Sequence, residues 1–275
     1  MSTNAINSNY ASILALQGLD QTVSDLNSAQ SKVSSGLDIG AAADNAPVWG
    51  IAQEQRNAAG ALDSVKLSLQ RSQSALDVAI SGGQSISDLL SQIRAKTLAG
   101  TDTSLSSTDR AVLNSDVQSL IKQISTVVDS ADFNGANLIK TGATPISTLT
   151  DANASVYTVQ PQSLSVGGPN ITFSAGASFA TATQASILLS QVTASVAKVT
   201  SAVSSLGVSS ASVTAHLSFV SQFQDTLTAG AGNLVDADMA KESASLTALQ
   251  VKQSLAAQTL SITNSAPEIL IGLFR

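Results

Sequence analysis

Cysteine is absent from this 275-residue chain, which excludes a disulfide framework, Cys-ligated zinc and thiol catalysis. Its absence leaves the compartment open, since a Cys-free chain tolerates oxidising and reducing surroundings equally. Aromatic residues are scarce at 3%, although 43% of the chain is hydrophobic, largely Ala, Val, Leu and Ile. That is material for helix seams rather than for a bulky globular core. Charged residues make up 12% against about 25% in ordinary domains, so the polar faces are written in Ser, Thr, Asn and Gln. Neutral hydroxyls and amides cost less to desolvate than charges. This suits sides that become packed against other subunits; a lineage with low charge usage is the alternative reading. The net charge of −6 and the lack of a basic stripe argue against nucleic acid and anionic membrane as partners. The first 31 residues hold no Lys or Arg, and the apolar stretch Ala11 to Leu19 is broken by Ser12 and Gln17. Neither a secretory signal nor a transit peptide fits. No run approaches the ~18 continuous apolar residues of a membrane span, so no membrane insertion is expected.

What is present is periodicity. Apolar residues recur on alternating steps of three and four from Leu189 through Val192, Val196, Val199, Val203, Leu206, Ser210, Val213, Leu217, Val220, Gln224, Leu227 and Ala231 to Leu234. A heptad held that long exceeds the roughly 8–20 residues of a globular helix, and its rise predicts a rod on the order of 70 Å. A second seam runs Leu62, Val65, Leu69, Ser72, Leu76, Ala79, Gly83, Ile86, Leu90, Ile93, and a shorter one Leu113, Val117, Leu120, Ile124, Val127. Smaller residues build the outer tracts. The N-terminal seam is Leu19, Val23, Leu26, Gln30, Val33, Leu37, with Ile6, Ile13 and Leu16 ahead of it; the C-terminal one is Met239, Leu246, Leu249, Gln253, Ala256, Leu260. Each carries a Gln that either fixes register or sits at a solvated edge. The fold class expected is mainly α, an elongated antiparallel coiled-coil bundle with paired N- and C-terminal helices and a small β-element in the middle of the chain.

Breakers fall between the tracts. Gly36, Gly40 and Pro47 mark a hinge, with Asp44 and Asn45 available to cap a helix whose first turn holds Pro47. Phe133-Asn134-Gly135 ends the third helix with an Asn-Gly turn signal. Between about 141 and 186 the pattern turns strand-like: Leu164 and Val166 alternate, Gly167-Gly168-Pro169-Asn170 turns the chain, and Ile171 and Phe173 alternate again. This predicts a small β-region at one tip of the bundle.

Convergent reactive groups are missing. The single histidine, His216, lies one step before Leu217 on a helix flank rather than among potential ligands. Asp236 and Asp238 bracket the break before Met239 and read as helix-capping carboxylates. Gly82-Gly83 and Gly167-Gly168 lack the Lys-Ser/Thr of a phosphate loop, and Trp49 is a solitary packing anchor. No catalytic, cofactor-binding or metal site can be assembled, and no cofactor or enzymatic activity is expected.

Several segments carry a family likeness. Lys32-Val33-Ser34-Ser35-Gly36-Leu37-Asp38-Ile39, followed by Ala42-Ala43-Asp44-Asn45-Ala46, resembles the Ser-Ser-Gly-Leu-Arg-Ile and Asp-Asp-Ala signature of bacterial flagellins. Phe133-Asn134-Gly135 is similar to their helix-ending turn. Asp236-Ala237-Asp238-Met239-Ala240-Lys241-Glu242-Ser243, then Gln258 and the closing Leu273-Phe274-Arg275, is similar to their C-terminal helix. Departures are Asp38, where Arg is common, and Pro47-Val48-Trp49 in place of small residues.

The resemblance implies a chain exported unfolded by the flagellar type III apparatus that self-assembles into the extracellular helical filament for swimming. It implies an inner core layer from 1–40 and 236–275, a hinge and start of the outer rod at 41–60, outer-rod halves at 61–140 and 187–235, and a short variable β-rich insert at 141–186. The polymerisation core expected is Ile6, Ile13, Leu16, Leu19, Val23, Leu26, Val33, Leu37, Leu246, Leu249, Leu255, Leu260, Ile262, Leu270, Leu273 and Phe274, with Gly36, Asp44, Asn45 and Pro47 as hinge. Flagellins detected by the vertebrate Toll-like flagellin receptor carry Leu-Gln-Arg-x-Arg-Glu-Leu. The matching segment is Leu90 to Lys96, a receptor-facing stretch with Gln92 at one Arg position and Arg94 at the other. Partners implied are the chain itself, flagellar cap and hook-junction proteins, and an export chaperone on the C-terminal helix. A hook–filament junction protein of the same family and a cytosolic coiled-coil signalling scaffold are the alternatives.

Overall fold

A computed structural model describes the backbone of residues 9–273 and the side chains of 9–265. Among these residues there are five helices, α1 (Tyr10–Ser35), α2 (Ala42–Gly100), α3 (Ser107–Ser130), α4 (Ala182–Val235) and α5 (Met239–Leu273), and one two-stranded sheet of β1 (Ile146–Leu149) and β2 (Val156–Val159). The fold is mainly α with paired terminal helices and a small mid-chain β-element. It divides into two compact units, one within Met1–Asn57 and Thr226–Arg275, the other Ala58–Asp225.

The first unit is organised by caps. Asn9 Oδ1 accepts the Ser12 amide at 3.1 Å to start α1, and Gly36, at φ 74°, ends it in the left-handed conformation that glycine adopts without a Cβ penalty. Asp238 Oδ1 accepts the amides of Ala240 and Lys241 at 3.0 and 3.2 Å, the capping role its sequence position suggests. The two helices run antiparallel. At one end Asn9 Nδ2 donates to the Thr263 carbonyl at 2.7 Å and Ser12 Oγ to Asn264 Oδ1 at 2.6 Å. At the other, Ala237 N–H reaches the Gly36 carbonyl at 2.9 Å and Asp38 N–H the Val235 carbonyl at 2.7 Å. Leu37 and Ile39 pack on a small core of Ala52, Ala231 and Val235. Within α2, Asn45 is extended (φ −162°, ψ 93°), and its Oδ1 accepts the Val48 amide at 3.3 Å. Asn45 therefore caps the helix whose first turn holds Pro47. Asp44 does something else: its Oδ2 accepts Gly40 and Ala41 amides at 3.0 and 2.9 Å, closing the preceding turn.

In the second unit every residue of the α2 seam from Leu62 to Ile93 is buried. The facing seam of α4 is less regular than its valines suggest. Val192, Val199, Leu206, Val213 and Val220 are buried as expected, but the intervening buried positions are Leu188, Ser195 and Ala202, while Leu189, Val196 and Val203 are half-buried. Small residues win these positions because the helices approach closely. A Cβ on Gly83 would stand 2.6 Å from Val203 Cγ2, and one on Gly82 3.0 Å from Ile139 Cδ1 on the opposite side. Polar side chains set the antiparallel register: Gln73 Nε2 donates to Ser210 Oγ at 2.7 Å, and Gln224 Nε2 to Asp63 Oδ1 at 2.7 Å. Along α4 the hydroxyls of Thr200, Ser201, Ser205, Ser209, Ser212 and Ser218 all donate to carbonyls one turn back in the same helix. By length and composition α4 alone, among the described helices, is apolar enough to cross a membrane. No uninterrupted apolar run signals this, because α4 reaches its hydropathy through near-total lack of charge, with serines interspersed.

The segment between α3 and α4 departs from the expected β-pattern. The hairpin is β1–β2, paired Ile146 to Val159 through Leu149 to Val156, whereas Leu164 to Phe173 forms only one bridge, Val166 to Ile171. The amides of Gln162 and Leu164 pair instead with the Leu138 and Ile139 carbonyls, at 2.8 and 2.7 Å. The alternation there reports burial of Leu164, Ile171 and Phe173, not strand pairing. Nor is the hairpin at a tip. It lies along the helices, with Thr148 bonded to buried Ser72, the Leu149 amide to Ser68 Oγ at 3.1 Å, and His216 Nε2 to the Thr150 carbonyl at 2.7 Å. After α3, Asn134 (φ 53°) and Gly135 (φ 83°) form the tight turn their sequence signals, closed by reciprocal Phe133–Ala136 hydrogen bonds of 2.9 and 3.0 Å.

Candidate polymerisation surface

The α1–α5 pair is held by one narrow seam. Only Thr22 and Ala29 of α1 are fully buried, and the Thr22 hydroxyl is satisfied by the Gly18 carbonyl at 2.7 Å. Of the residues singled out from sequence, Leu19, Val23, Leu26, Val33, Leu246, Leu249 and Leu260 are half-buried along this pair, and Leu37 is half-buried on the core of Ala52, Ala231 and Val235. Ile13, Leu16, Leu255 and Ile262 are exposed, Leu255 at 57% and Ile262 at 66%. Ile6 and Phe274, and the side chains of Leu270 and Leu273, lie outside the described residues.

Of the α1 seam read from the sequence, Leu19, Leu26 and Val33 lie on the buried line, while Thr22 and Ala29 stand there in place of Val23 and Gln30. The buried line runs through Thr22 and Ala29, flanked by Leu26 and Val33, and Gln30 is exposed at a solvated edge. The small pair Thr22 and Ala29, seven residues apart between Leu19, Leu26 and Val33, was the available signal, masked by the larger Val23. Tyr10 and Leu14 on α1, with Val251 on α5, are further exposed apolar residues that were not singled out, and Met239, expected in the C-terminal seam, is exposed. Helical geometry puts Tyr10, Ile13 and Leu14 on the side of α1 away from the seam, and Val251, Leu255 and Ile262 on a separate stripe of α5. A shallow groove lined by Ala15, Gly18, Thr22, Leu255, Ala256 and Thr259 runs between the helices. Each terminal helix thus has one apolar face used and a second one unused.

Electrostatics contribute little here. Asp38 forms an ion pair with Lys32 of the last α1 turn; this hydrogen bond, more than the nearby carboxylates, raises the lysine pKa above its usual value. Elsewhere Gln92 and Arg94 are exposed on either side of buried Ile93. The hinge residues Gly36, Asp44, Asn45 and Pro47 occupy the turns already described. Arg110, which sequence gave no reason to notice, is buried and donates to the Gly100 and Asp102 carbonyls at 3.1 and 2.6 Å. It places a cation on the negative end of α2. Among the described residues no group of three His, Asp or Glu could hold a metal.

Long neutral helices, a minimal internal core between the end helices and spare apolar stripes define a helical structural protein built for further packing. The family model described as bacterial flagellin N-terminal helical region matches residues 6–144, and the bacterial flagellin C-terminal helical region matches residues 189–274. Flagellin FljO of Caulobacter vibrioides is 42% identical over 275 residues, covering 100% of both chains. The flagellin of Brucella melitensis is 30% identical, over 98% of this chain and 99% of its own. The crystal structure of Bacillus cereus flagellin aligns with 60% of this chain and 91% of its own at 18% identity and a TM-score of 0.46. The chain belongs to the bacterial flagellin family. It is a structural subunit of the flagellar filament, a family of structural, self-polymerising extracellular proteins.

Proposed function

We propose that this subunit polymerises through the spare stripes of the α1–α5 pair, which form the inner layer of the filament with residues 1–40 and 236–275. In the same filament the hinge residues Gly36, Asp44, Asn45 and Pro47 join this layer to the outer helices, and 141–186 is the variable outward insert. The chain has no enzymatic role and leaves the cell unfolded by type III export. A chaperone covers α5 before export, and cap and hook-junction proteins meet the growing end. The observation that supports this is the exposure of Ile13, Leu16, Leu255 and Ile262 on helices that bury almost nothing fully against each other. Apolar side chains left in water at that density seek a further partner. The test is a strain whose only flagellin is this chain, intact or ending before Met239. Surface filaments from the intact chain alone support the reading; filaments from the truncated chain refute it.

A further inference from the structure

The chain holds a single Asn-Gly pair, and the structure sets it exposed at the apex of the turn after α3. Asparagine is a thermolabile residue, and glycine after it, lacking a Cβ, leaves the approach of its own amide nitrogen unhindered. We propose that Asn134 is a site of spontaneous deamidation whose rate in the folded chain is held down by Asp132.

In the reaction, water or hydroxide takes the Gly135 amide proton and the freed nitrogen attacks Cγ of Asn134. The new N–C bond closes a cyclic imide, the Cγ–Nδ2 bond breaks, and the leaving amide takes up a proton and departs as ammonia. One water then opens the ring at either carbonyl, leaving aspartate or isoaspartate at position 134. No electron transfer is involved.

Two features of the turn oppose the first step. The proton that must leave is donated to Asp132 Oδ1 at 3.0 Å, and removing it would create a second negative charge beside a carboxylate. The reciprocal Phe133–Ala136 hydrogen bonds also resist the backbone rotation that brings nitrogen to Cγ. Once formed, isoaspartate adds a methylene to the backbone, which the two-residue turn cannot accommodate. The aspartate product, by contrast, keeps the backbone length of asparagine, so the turn accepts it. The same residue thus has a disruptive and a tolerated product.

The experiment incubates the full-length chain, as wild type, Asp132→Ala and Asp132→Asn, in mildly alkaline buffer and in urea, with peptide mapping of aspartate and isoaspartate at position 134. Folded Asp132→Ala should react about tenfold faster than wild type, the rate equivalent of losing one charge-assisted hydrogen bond. Asp132→Asn, which keeps an oxygen acceptor but no charge, should fall between them. In urea all three should react alike and faster. Equal rates for the three folded chains would overturn the protective role, and absence of product in urea would overturn the site. If Asp132→Ala loses its helical circular dichroism, Asp132→Asn decides, since it too must exceed wild type.

Discussion

Replacing Leu255 tests the polymerisation surface with the least ambiguity, because in the single chain this side chain is 57% exposed. Full burial of a leucine contributes roughly 1.5–3 kcal/mol, so ~1 kcal/mol remains to be gained when a neighbouring subunit covers it. Truncation to alanine should then raise the critical concentration for seeded growth about fivefold. Leu255→Asp goes further. Covering a carboxylate without a partner costs several kcal/mol, repeated in every subunit, and should abolish pelletable filaments. The subunit itself should be indifferent, since exposed substitutions usually change stability by less than about 0.5 kcal/mol. Leu260→Asp should also block assembly, but Leu260 is half-buried in the α1–α5 pair, so it disturbs the subunit as well. The assay is sedimentation on sheared seeds, with circular dichroism of the monomer as control. Leu255→Asp filaments growing at the wild-type critical concentration, with unchanged monomer, would refute the surface.

Gly83→Ala should gain about 1 kcal/mol in helix propensity yet be net destabilising, by up to ~2 kcal/mol, because of overpacking against Val203. The same change in a Val203→Ala background should be neutral or stabilising in urea denaturation, and a cycle without coupling would show that the helices are not in close contact there. Gln92→Arg should raise the response of a Toll-like flagellin receptor reporter above that of the wild type, since a neutral amide does not replace a guanidinium fork; no increase would remove Gln92 from the recognition segment. Asp151 accepts from the Ser155 hydroxyl and amide and from the Asn153 amide, which lowers its pKa, with His216 assisting. A depressed carboxylate contributes stability that is complete above its unfolded value and lost as pH falls through the folded one. The amide signals of Asn153 and Ser155 should therefore hold above about pH 4 and broaden only below it. Hydrogen exchange in the monomer should be faster along α1 and α5 than along Leu62 to Ile93, and the terminal helices should gain protection on polymerisation, as expected for marginal helices stabilised by packing.

Large aliphatic residues made the α2 seam readable: from Leu62 to Ile93 most of the Leu, Ile and Val lie on the inner face, with Leu67 the exposed exception, so period and burial largely coincide. On α4 the valines are spread over two adjacent lines. Which line is buried was settled by Gly83 and the other small residues that permit close approach, and this is a property of the pair rather than of either sequence. Asn45 and Asp238 were legible as caps because their chemistry is local. Arg110 was not, since its partners are the carbonyls left over by another helix end. The hairpin escaped notice because four-residue strands carry almost no period, and its position is fixed by Ser68 and Ser72 on a helix some 75 residues away. For the surface, the apolar residues were identified but their division between inner and outer faces was not. That division depends on which helix is the neighbour.

The serines that bond back to their own helix have a consequence for the environment in which such a polymer can work. A hydroxyl already donating to the carbonyl one turn behind it, as Thr247, Ser254 and Thr259 do on α5 as well, brings no unmet donor to a neighbour, and can be covered or uncovered without exchanging that partner with water. Contacts built from such groups and from aliphatic stripes carry almost no counterions, so Debye screening has little to act on. A filament held this way keeps its cohesion from fresh water to brine, where one stitched together by ion pairs would loosen as salt rises.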